Sequence, residues 1–219
     1  MPTVTAIEPQ QHDAERVNVY LDGKFAFGTS LLLAVSHHLV TGKELSPSEV
    51  DELRHDDVID RTAGAALNFL SFRPRSRREI EQYLRRKGVE PPVAAEVMAR
   101  LERLGLIDDR EFARFWVENR QTFRPRGARA LKAEMRQKGL DGEVIEDVLE
   151  TLPDEVETAY RAGEKKARSL RNEDEREFLR KLLGFLQRRG FPYGVAVEAA
   201  KQLRAEMTQQ DLETDLTGE

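Results

Sequence analysis

Two kinds of polar residue in this sequence have types and spacing suited to chemistry: a pair of adjacent aspartates and two clusters of arginine and lysine. Asp108 and Asp109 stand together in GLIDDREFARFW, where a carboxylate pair could do acid–base work. No catalytic partner accompanies them, and Asp108 followed by Glu111 is typical of a helix start instead. The four histidines show no metal-ligand spacing with a carboxylate. We therefore predict that the protein is not an enzyme and uses no cofactor and no metal.

The basic residues fall in two copies of one phrase. FRPRSRREIEQYLRRKGV begins at Phe72, and FRPRGARALKAEMRQKGL begins 51 residues later. Arg78 and Arg85 are seven residues apart, as are Arg129 and Arg136, so each pair shares one helix face. The candidate residues for contact with a polyanion or an acidic protein are Arg73, Arg75, Arg77, Arg78, Arg85, Arg86, Lys87, Arg124, Arg126, Arg129, Lys132, Arg136 and Lys138.

Charge is unevenly distributed along the chain. Residues 72–140 carry 18 Lys and Arg against 10 Asp and Glu, a net charge of +8, whereas the whole chain of 219 residues carries −5. A basic block between acidic flanks favours contact with a polyanion or an acidic protein, although solvated helix faces are an equally simple interpretation. The block lacks the interleaved aromatic residues of single-strand stacking platforms, and nothing indicates sequence-specific readout.

Composition excludes several other classes of protein. There are no cysteines, which rules out disulfides and thiolate metal sites. No apolar run approaches the roughly 20 residues that span a bilayer. The first residues lack the basic and then apolar pattern of a secretory signal. We expect a cytoplasmic protein that has no membrane partner and is a monomer.

The elements that must position these residues begin with a short β-prone segment. Alternating runs and the Asp22-Gly23 turn signal predict a three-stranded antiparallel sheet within about the first 28 residues. A helix is expected from Ser30 to Leu39. Ser46 with Glu49 then has the pattern of a capping box, which predicts that another helix begins there.

The rest of the sequence repeats with a fixed period. Gly88, Gly139 and Gly190 follow one another in two steps of 51 residues, and the residue eight positions before each glycine is apolar. Self-similarity of this kind predicts tandem helical units. In each unit a middle helix ends in basic residues and a glycine, as helix C-termini commonly do.

We therefore predict a mainly α-helical protein: three tandem three-helix repeats in an elongated array behind a small N-terminal β-containing segment. The expected limits are 1–57 for the N-terminal segment, 58–107, 108–152 and 153–207 for the repeats, and 208–219 for a disordered acidic tail. Phe112 and Trp116 are expected to face the core of the second repeat. The residues assigned to the structural motif are Gly88, Asp108, Asp109, Phe112, Trp116, Gly139 and Gly190.

Three stretches resemble the RecX regulatory protein family: FLSFRPRSRREIEQYLRRKG, LERLGLIDDREFARFWVENR and RGARALKAEMRQKGL. The family is marked by a glycine, two hydrophobic residues, two aspartates and a following Phe-Ala. The resemblance is strong over about residues 60–150 and looser over 153–207, and YLDGKFAFG is similar to the extra segment of longer members. Gly127 and the acidic NEDERE of the third repeat depart from the pattern, so the three repeats need not contact a partner alike.

The resemblance implies a function that composition does not. RecX proteins modulate the RecA recombinase, usually by inhibition. They lie in the groove of the RecA filament on single-stranded DNA and suppress ATP hydrolysis, strand exchange and co-protease activity, in recombinational repair and the SOS response. It implies a RecA filament as partner, no catalysis and no cofactor. Direct contact with single-stranded DNA, and inhibition as against stimulation, stay open. The alternative is an independent, non-sequence-specific nucleic-acid-binding helical protein.

Overall fold

The computed structural model describes the backbone of residues 1–217 and the side chains of residues 1–210. The chain forms two compact units. The first contains Met1–Arg73 and Glu79–Ile107, and the second contains Pro74–Arg78 and the chain from Asp108 onward.

The first unit begins with an antiparallel sheet in the order β1 (Val4–Gln10), β2 (Asp13–Leu21) and β3 (Lys24–Ser30). The turn between β2 and β3 is formed by Asp22 and Gly23, with φ of 49° and 78°. Positive φ at both central residues matches the twist of the flanking strands, which is why Asp-Gly is favoured there. The predicted sheet and hairpin are confirmed.

Four helices complete the first unit: α1 (Leu31–Ser36), α2 (Pro47–Ser71), α3 (Arg77–Arg86) and α4 (Pro91–Arg103), although the first residues of α3 belong with the second unit. The predicted capping box is present, because the side chain of Ser46 accepts from the Glu49 amide and the Glu49 carboxylate accepts from the Ser46 amide.

A single helix, α2, serves two cores. Val50 and Leu53 pack with the sheet, whereas Ala63 and Ala66 pack with α3 and α4. The domain limit expected at residues 57 and 58 therefore falls inside a continuous helix. No proline interrupts this stretch, and its only glycine, Gly64, costs a helix interior about 1 kcal/mol, which is too little to end it.

The second unit contains two three-helix bundles. One is formed by α5 (Asp109–Phe123), α6 (Ala128–Gln137) and α7 (Gly142–Leu149), and the other by α8 (Glu155–Arg168), α9 (Glu175–Arg188) and α10 (Tyr193–Thr217). Each bundle has its own buried cluster of apolar side chains.

The repeat pattern corresponds to equivalent positions in the fold. The apolar residues eight positions before the repeated glycines are all 0% exposed: Ile80, Leu131 and Leu182. The glycines themselves have φ of 72°, 84° and 91°, as left-handed residues after a helix: Gly88, Gly139 and Gly190. The predicted fold class is confirmed as mainly helical, with three three-helix repeats and a small N-terminal sheet.

The end of the chain differs from expectation. The sequence predicts a disordered tail at residues 208–219, whereas α10 continues through Thr217. Extending an existing helix costs far less free energy than nucleating one, and Gln, Glu and Leu are good helix formers, so a polar composition does not end it. Residues 218 and 219 lie outside the described residues.

Candidate polyanion interface

Within the second unit, the start of one middle helix lies against the end of the next. The Gly127 amide, at the N-cap of α6, donates to the Arg189 carbonyl at 3.1 Å. A Cβ on Gly127 would lie 2.6 Å from the Gly190 carbonyl oxygen, so only glycine fits. From the sequence alone, Gly127 is only a weak helix cap. The structure shows that a glycine is needed here because the two backbones approach closely.

A contact at the equivalent positions occurs one repeat earlier, but there a side chain makes it. The buried Ser76 hydroxyl donates to the Lys138 carbonyl at 2.8 Å, and Ser76 and Lys138 occupy the positions of Gly127 and Arg189. Ser76 and Gly127, which follow the two FRPR phrases, thus each contact the basic end of a middle helix, at Lys138 and Arg189.

The two adjacent aspartates cap two different helices. Asp108 accepts from the amides of Arg110 and Glu111, at 2.8 and 3.1 Å, and so caps its own helix, α5. Asp109 instead accepts from the Arg77 amide at 2.9 Å, at the first residue of α3. The pair is structural, as the helix-start interpretation predicts for Asp108, but the role of Asp109 is not visible in the sequence.

Glu155 repeats the role of Asp109 in the next repeat. Its carboxylate accepts from the Ala128 amide at 3.1 Å, at the first residue of α6. Both carboxylates follow the N-cap of the next repeat's first helix, Asp108 or Asp154. Burial raises the pKa of Asp109, while the hydrogen bond from the Arg77 amide lowers it.

The first basic cluster is largely exposed. Both terminal nitrogens of Arg73 donate to Glu79, at 3.0 and 3.1 Å, so this guanidinium is matched by a carboxylate. Arg75 is half-buried. The Arg86 side chain donates to the carbonyl of Gln82, one turn earlier. The exposed cations are Arg77, Arg78, Arg85, Arg86 and Lys87.

The second basic cluster is divided between paired and exposed residues. Arg126 pairs with Glu134 at 2.9 Å, and Lys132 pairs with Glu146. Lys138 lies over the Trp116 ring, 4.8 Å from its centroid. The exposed cations are Arg124, Arg129 and Arg136.

Trp116 contacts several charged side chains. Its indole nitrogen donates to Glu134 at 2.9 Å, and Arg120 donates to the same oxygen at 2.8 Å. The ring stacks on Phe112, which is fully buried. Trp116 is thus half-buried, with one side packed on the core and its polar edge in an ionic network.

Sequence reasoning missed Arg189 and the exposure of two phenylalanines. Arg189 donates to the Pro125 carbonyl at 3.3 Å and lies over the Phe185 ring at 4.6 Å. Phe72 and Phe123, which begin the two basic phrases, are 76% and 74% exposed. Position in the repeat could have indicated both features. Arg189 aligns with Lys138, and each phenylalanine lies at the end of a helical pattern.

Two of the four histidines pair with single carboxylates, His37 with Asp56 at 2.8 Å and His55 with Glu96 at 3.1 Å. Among the residues that the structure describes, no group of three or more His, Asp or Glu side chains could hold a metal ion. Within the same part of the chain, no helix has the length and apolar character needed to cross a membrane.

Fold and surface together define a class: tandem three-helix repeats whose middle helices end in exposed cations. Four family models match the chain, in the order of the N-terminal segment and the three repeats. They are the regulatory protein RecX N-terminal domain at residues 2–46 and the RecX first, second and third three-helix domains at 64–101, 108–149 and 153–199. The chain belongs to the RecX family of regulatory proteins.

Curated relatives and solved structures agree. Regulatory protein RecX of Bacillus subtilis is 33% identical over 208 residues, covering 94% of this chain and 79% of its own length. That of Bacillus pumilus is 31% identical over 204 residues, covering 92% and 78%. A crystal structure of regulatory protein RecX superposes with a TM-score of 0.75 at 26% identity, covering 89% of this chain and 97% of its own. RecX from Lactobacillus salivarius gives 0.59 at 29% identity, covering 68% and 97%.

Proposed function

We propose that this protein binds the RecA recombinase filament on single-stranded DNA and inhibits its ATPase, strand-exchange and co-protease activities. It acts as a non-enzymatic monomer in the cytoplasm, in recombinational repair and the SOS response. Support comes from membership of a family of regulatory proteins and from the cationic surface of the middle helices.

The observation that carries the proposal is the end of α3. Arg85, Arg86 and Lys87 follow one another there with exposed side chains, and none of them forms an ion pair among the described residues. Cations in the last turn of a helix are favoured by the helix dipole, so the local fold tolerates them without a counter-charge. They remain available for an acidic recombinase surface or for DNA phosphates.

Attachment through exposed cations has a defined physical signature. Opposite charges on two surfaces attract over about a Debye length, which is about 10 Å at 0.1 M salt and about 3 Å at 1 M. Binding that depends on them therefore weakens as salt increases. The filament is a repeating surface, and the repeats of this chain could each meet one of its subunits.

The test is recombinase ATPase on single-stranded DNA, titrated with this protein across a salt series. We expect ATP hydrolysis to fall as the protein is added, and the concentration needed for half-inhibition to rise with salt. The proposal is contradicted if hydrolysis stays unchanged at every concentration in low salt. Increased hydrolysis would contradict the proposed direction, leaving regulation by stimulation.

The basic block also supports a second candidate, an independent nucleic-acid-binding protein with no recombinase partner. A net charge of +8 over residues 72–140 is enough for salt-sensitive, sequence-independent binding. Salt-sensitive DNA binding without any effect on recombinase ATPase would favour this candidate over the first.

A further inference from the structure

The two FRPR phrases are electrostatically different, although their sequences match. In the first, Arg73 is bound by both oxygens of Glu79. The residue equivalent to Glu79 in the second phrase is Ala130. Arg124, which is equivalent to Arg73, is exposed, and its guanidinium has no hydrogen-bond or ion-pair partner among the described residues. The second phrase thus presents a positive charge that the first one neutralises.

A second guanidinium, that of Arg189, contacts the second FRPR phrase. Arg189, from the end of α9, donates to the carbonyl of Pro125, the residue after Arg124. Its own carbonyl accepts from the Gly127 amide at 3.1 Å, which fixes the α9 terminus against residues 125–127. Burial lowers the pKa of Arg189, and the nearby charges of Arg126 and Arg124 lower it further.

The carboxylates in the neighbourhood are already engaged. Glu134 is bound by Arg120 and Arg126, and Glu155 accepts from the Ala128 amide. No described carboxylate pairs with Arg124 or Arg189. Guanidiniums that are crowded together and partly withdrawn from water are stabilised by an external anion, and their planar donors suit phosphate oxygens.

An exposed aromatic residue precedes Arg124 in the chain. Phe123, the residue before Arg124, is 74% exposed at the end of α5. Exposing a phenylalanine ring is unfavourable in water, and aromatic rings beside cations are the elements with which proteins stack the bases of single strands. A carboxylate-bearing protein partner would satisfy the guanidiniums but offers no particular match for a flat exposed ring, so the combination favours nucleic acid.

We propose that Arg124 and Arg189 form a phosphate-binding site for single-stranded nucleic acid, with Phe123 as the stacking surface for an adjacent base. The site lies wholly within the second unit and includes a residue of the third repeat. It deepens the proposed function and rests on it, because the strand it would meet is the one that the recombinase covers.

The test uses the full chain and a short, fluorescein-labelled oligothymidylate, with binding followed by anisotropy over a salt series. We expect Arg124→Gln and Arg189→Gln each to weaken binding about five- to tenfold at low salt and to reduce the salt slope by about 0.7. Arg103→Gln is the matched control, since Arg103 is also exposed and loses the same charge, and it should leave the affinity within about twofold. If Arg189→Gln does not fold, Arg124→Gln alone decides, because the Arg124 guanidinium has no hydrogen bond or ion pair to lose among the described residues.

A second pair of probes separates base from phosphate. Phe123→Ala should weaken binding of oligothymidylate about tenfold and leave binding of an abasic oligomer of equal length unchanged. Wild-type affinity and salt slope in Arg124→Gln would overturn the proposal. So would competition by polyglutamate as strong as that by oligothymidylate, since it would assign the site to acidic protein.

Failure of this site and failure of the proposed function are distinguishable. If the arginine variants keep wild-type DNA binding while the wild-type protein suppresses recombinase ATPase, the site is refuted and the proposed function stands. If the variants lose DNA binding while the wild-type protein has no effect on the ATPase, the site stands and the proposed function is refuted.

Discussion

Single residues fix close backbone contacts within the second unit, which includes Pro74–Arg78. Gly127 is required because another backbone passes within 2.6 Å of the place where its Cβ would be. Asp109 is required because the first amide of α3 donates to it. Neither role could be predicted from the sequence, since each depends on a residue about 30 to 60 positions away, whereas the local role of Asp108 as a helix cap could.

Gly127→Ala should lower the free energy of unfolding by about 1–3 kcal/mol, because the methyl group overlaps the Gly190 carbonyl. Gly64→Ala is the control, since nothing lies within 4 Å of its Cβ position in the middle of α2. That change should stabilise the protein by about 0.5–1 kcal/mol. Urea unfolding of both variants measures the difference, and equal effects of the two changes would contradict the steric explanation.

Asp109→Asn should change how stability depends on pH. The pKa of Asp109 is raised by burial, so the folded chain holds this proton more tightly than the unfolded chain does. Its ionisation therefore lowers the free energy of unfolding as pH rises from about 3.9 through the folded pKa. Asparagine stays neutral and can accept the same hydrogen bond from Arg77.

The measurement for Asp109 is urea unfolding of the wild-type protein and Asp109→Asn across this pH range. The free energy of unfolding of the wild type minus that of the variant should decrease as pH rises. A difference that increases with pH would mean that the ionised carboxylate is favoured in the fold, contrary to the direction given by its burial.

At the scale of elements, local sequence signals predicted a helix, strand or turn correctly where nearby residues in the sequence determine it. The Asp22-Gly23 turn, the Ser46 capping box and the repeated apolar positions all predicted their elements correctly. Helix α2 differs, because the sequence suggested a domain boundary at residues 57 and 58, inside this helix. One helix reaches both cores, and this could not be inferred from periodicity alone.

Val58→Pro tests whether α2 is continuous at the expected limit. An interior proline removes a helical hydrogen bond and clashes with the preceding turn, so the cost should be about 3 kcal/mol or more. Ser48→Pro is the control, since it lies in the first turn of α2, where amides have no helical partner. Similar urea midpoints for the two variants would indicate that residues 57 and 58 instead form a linker.

At the scale of the whole molecule, the three repeats share their buried positions and differ in surface charge. The third repeat keeps the buried positions and the terminal glycine but replaces FRPR by acidic residues. The sequence therefore predicted the fold class and the family, since both depend on periodic positions. It identified the basic residues only as a set, because pairing with Glu79, Glu134 or Glu146 appears only when the helices are packed.

The most direct test of the account compares three proteins in the recombinase ATPase assay on single-stranded DNA. These are the wild type, the reversal Arg85→Glu, Arg86→Glu and Lys87→Glu, and a matched reversal of Lys165, Lys166 and Arg168 to Glu. Both reversals change the net charge equally and at a helix C-terminus, α3 or α8, and the α8 reversal in addition removes the ion pair between Arg168 and Glu164. Circular dichroism and thermal melting are measured first, to check that both reversals are folded.

We predict that the wild type and the α8 reversal inhibit ATP hydrolysis to the same extent, within about threefold in half-inhibitory concentration, whereas the α3 reversal no longer inhibits. Undiminished inhibition by the folded α3 reversal would contradict the central claim that the exposed cations at the end of this helix attach the protein to the filament.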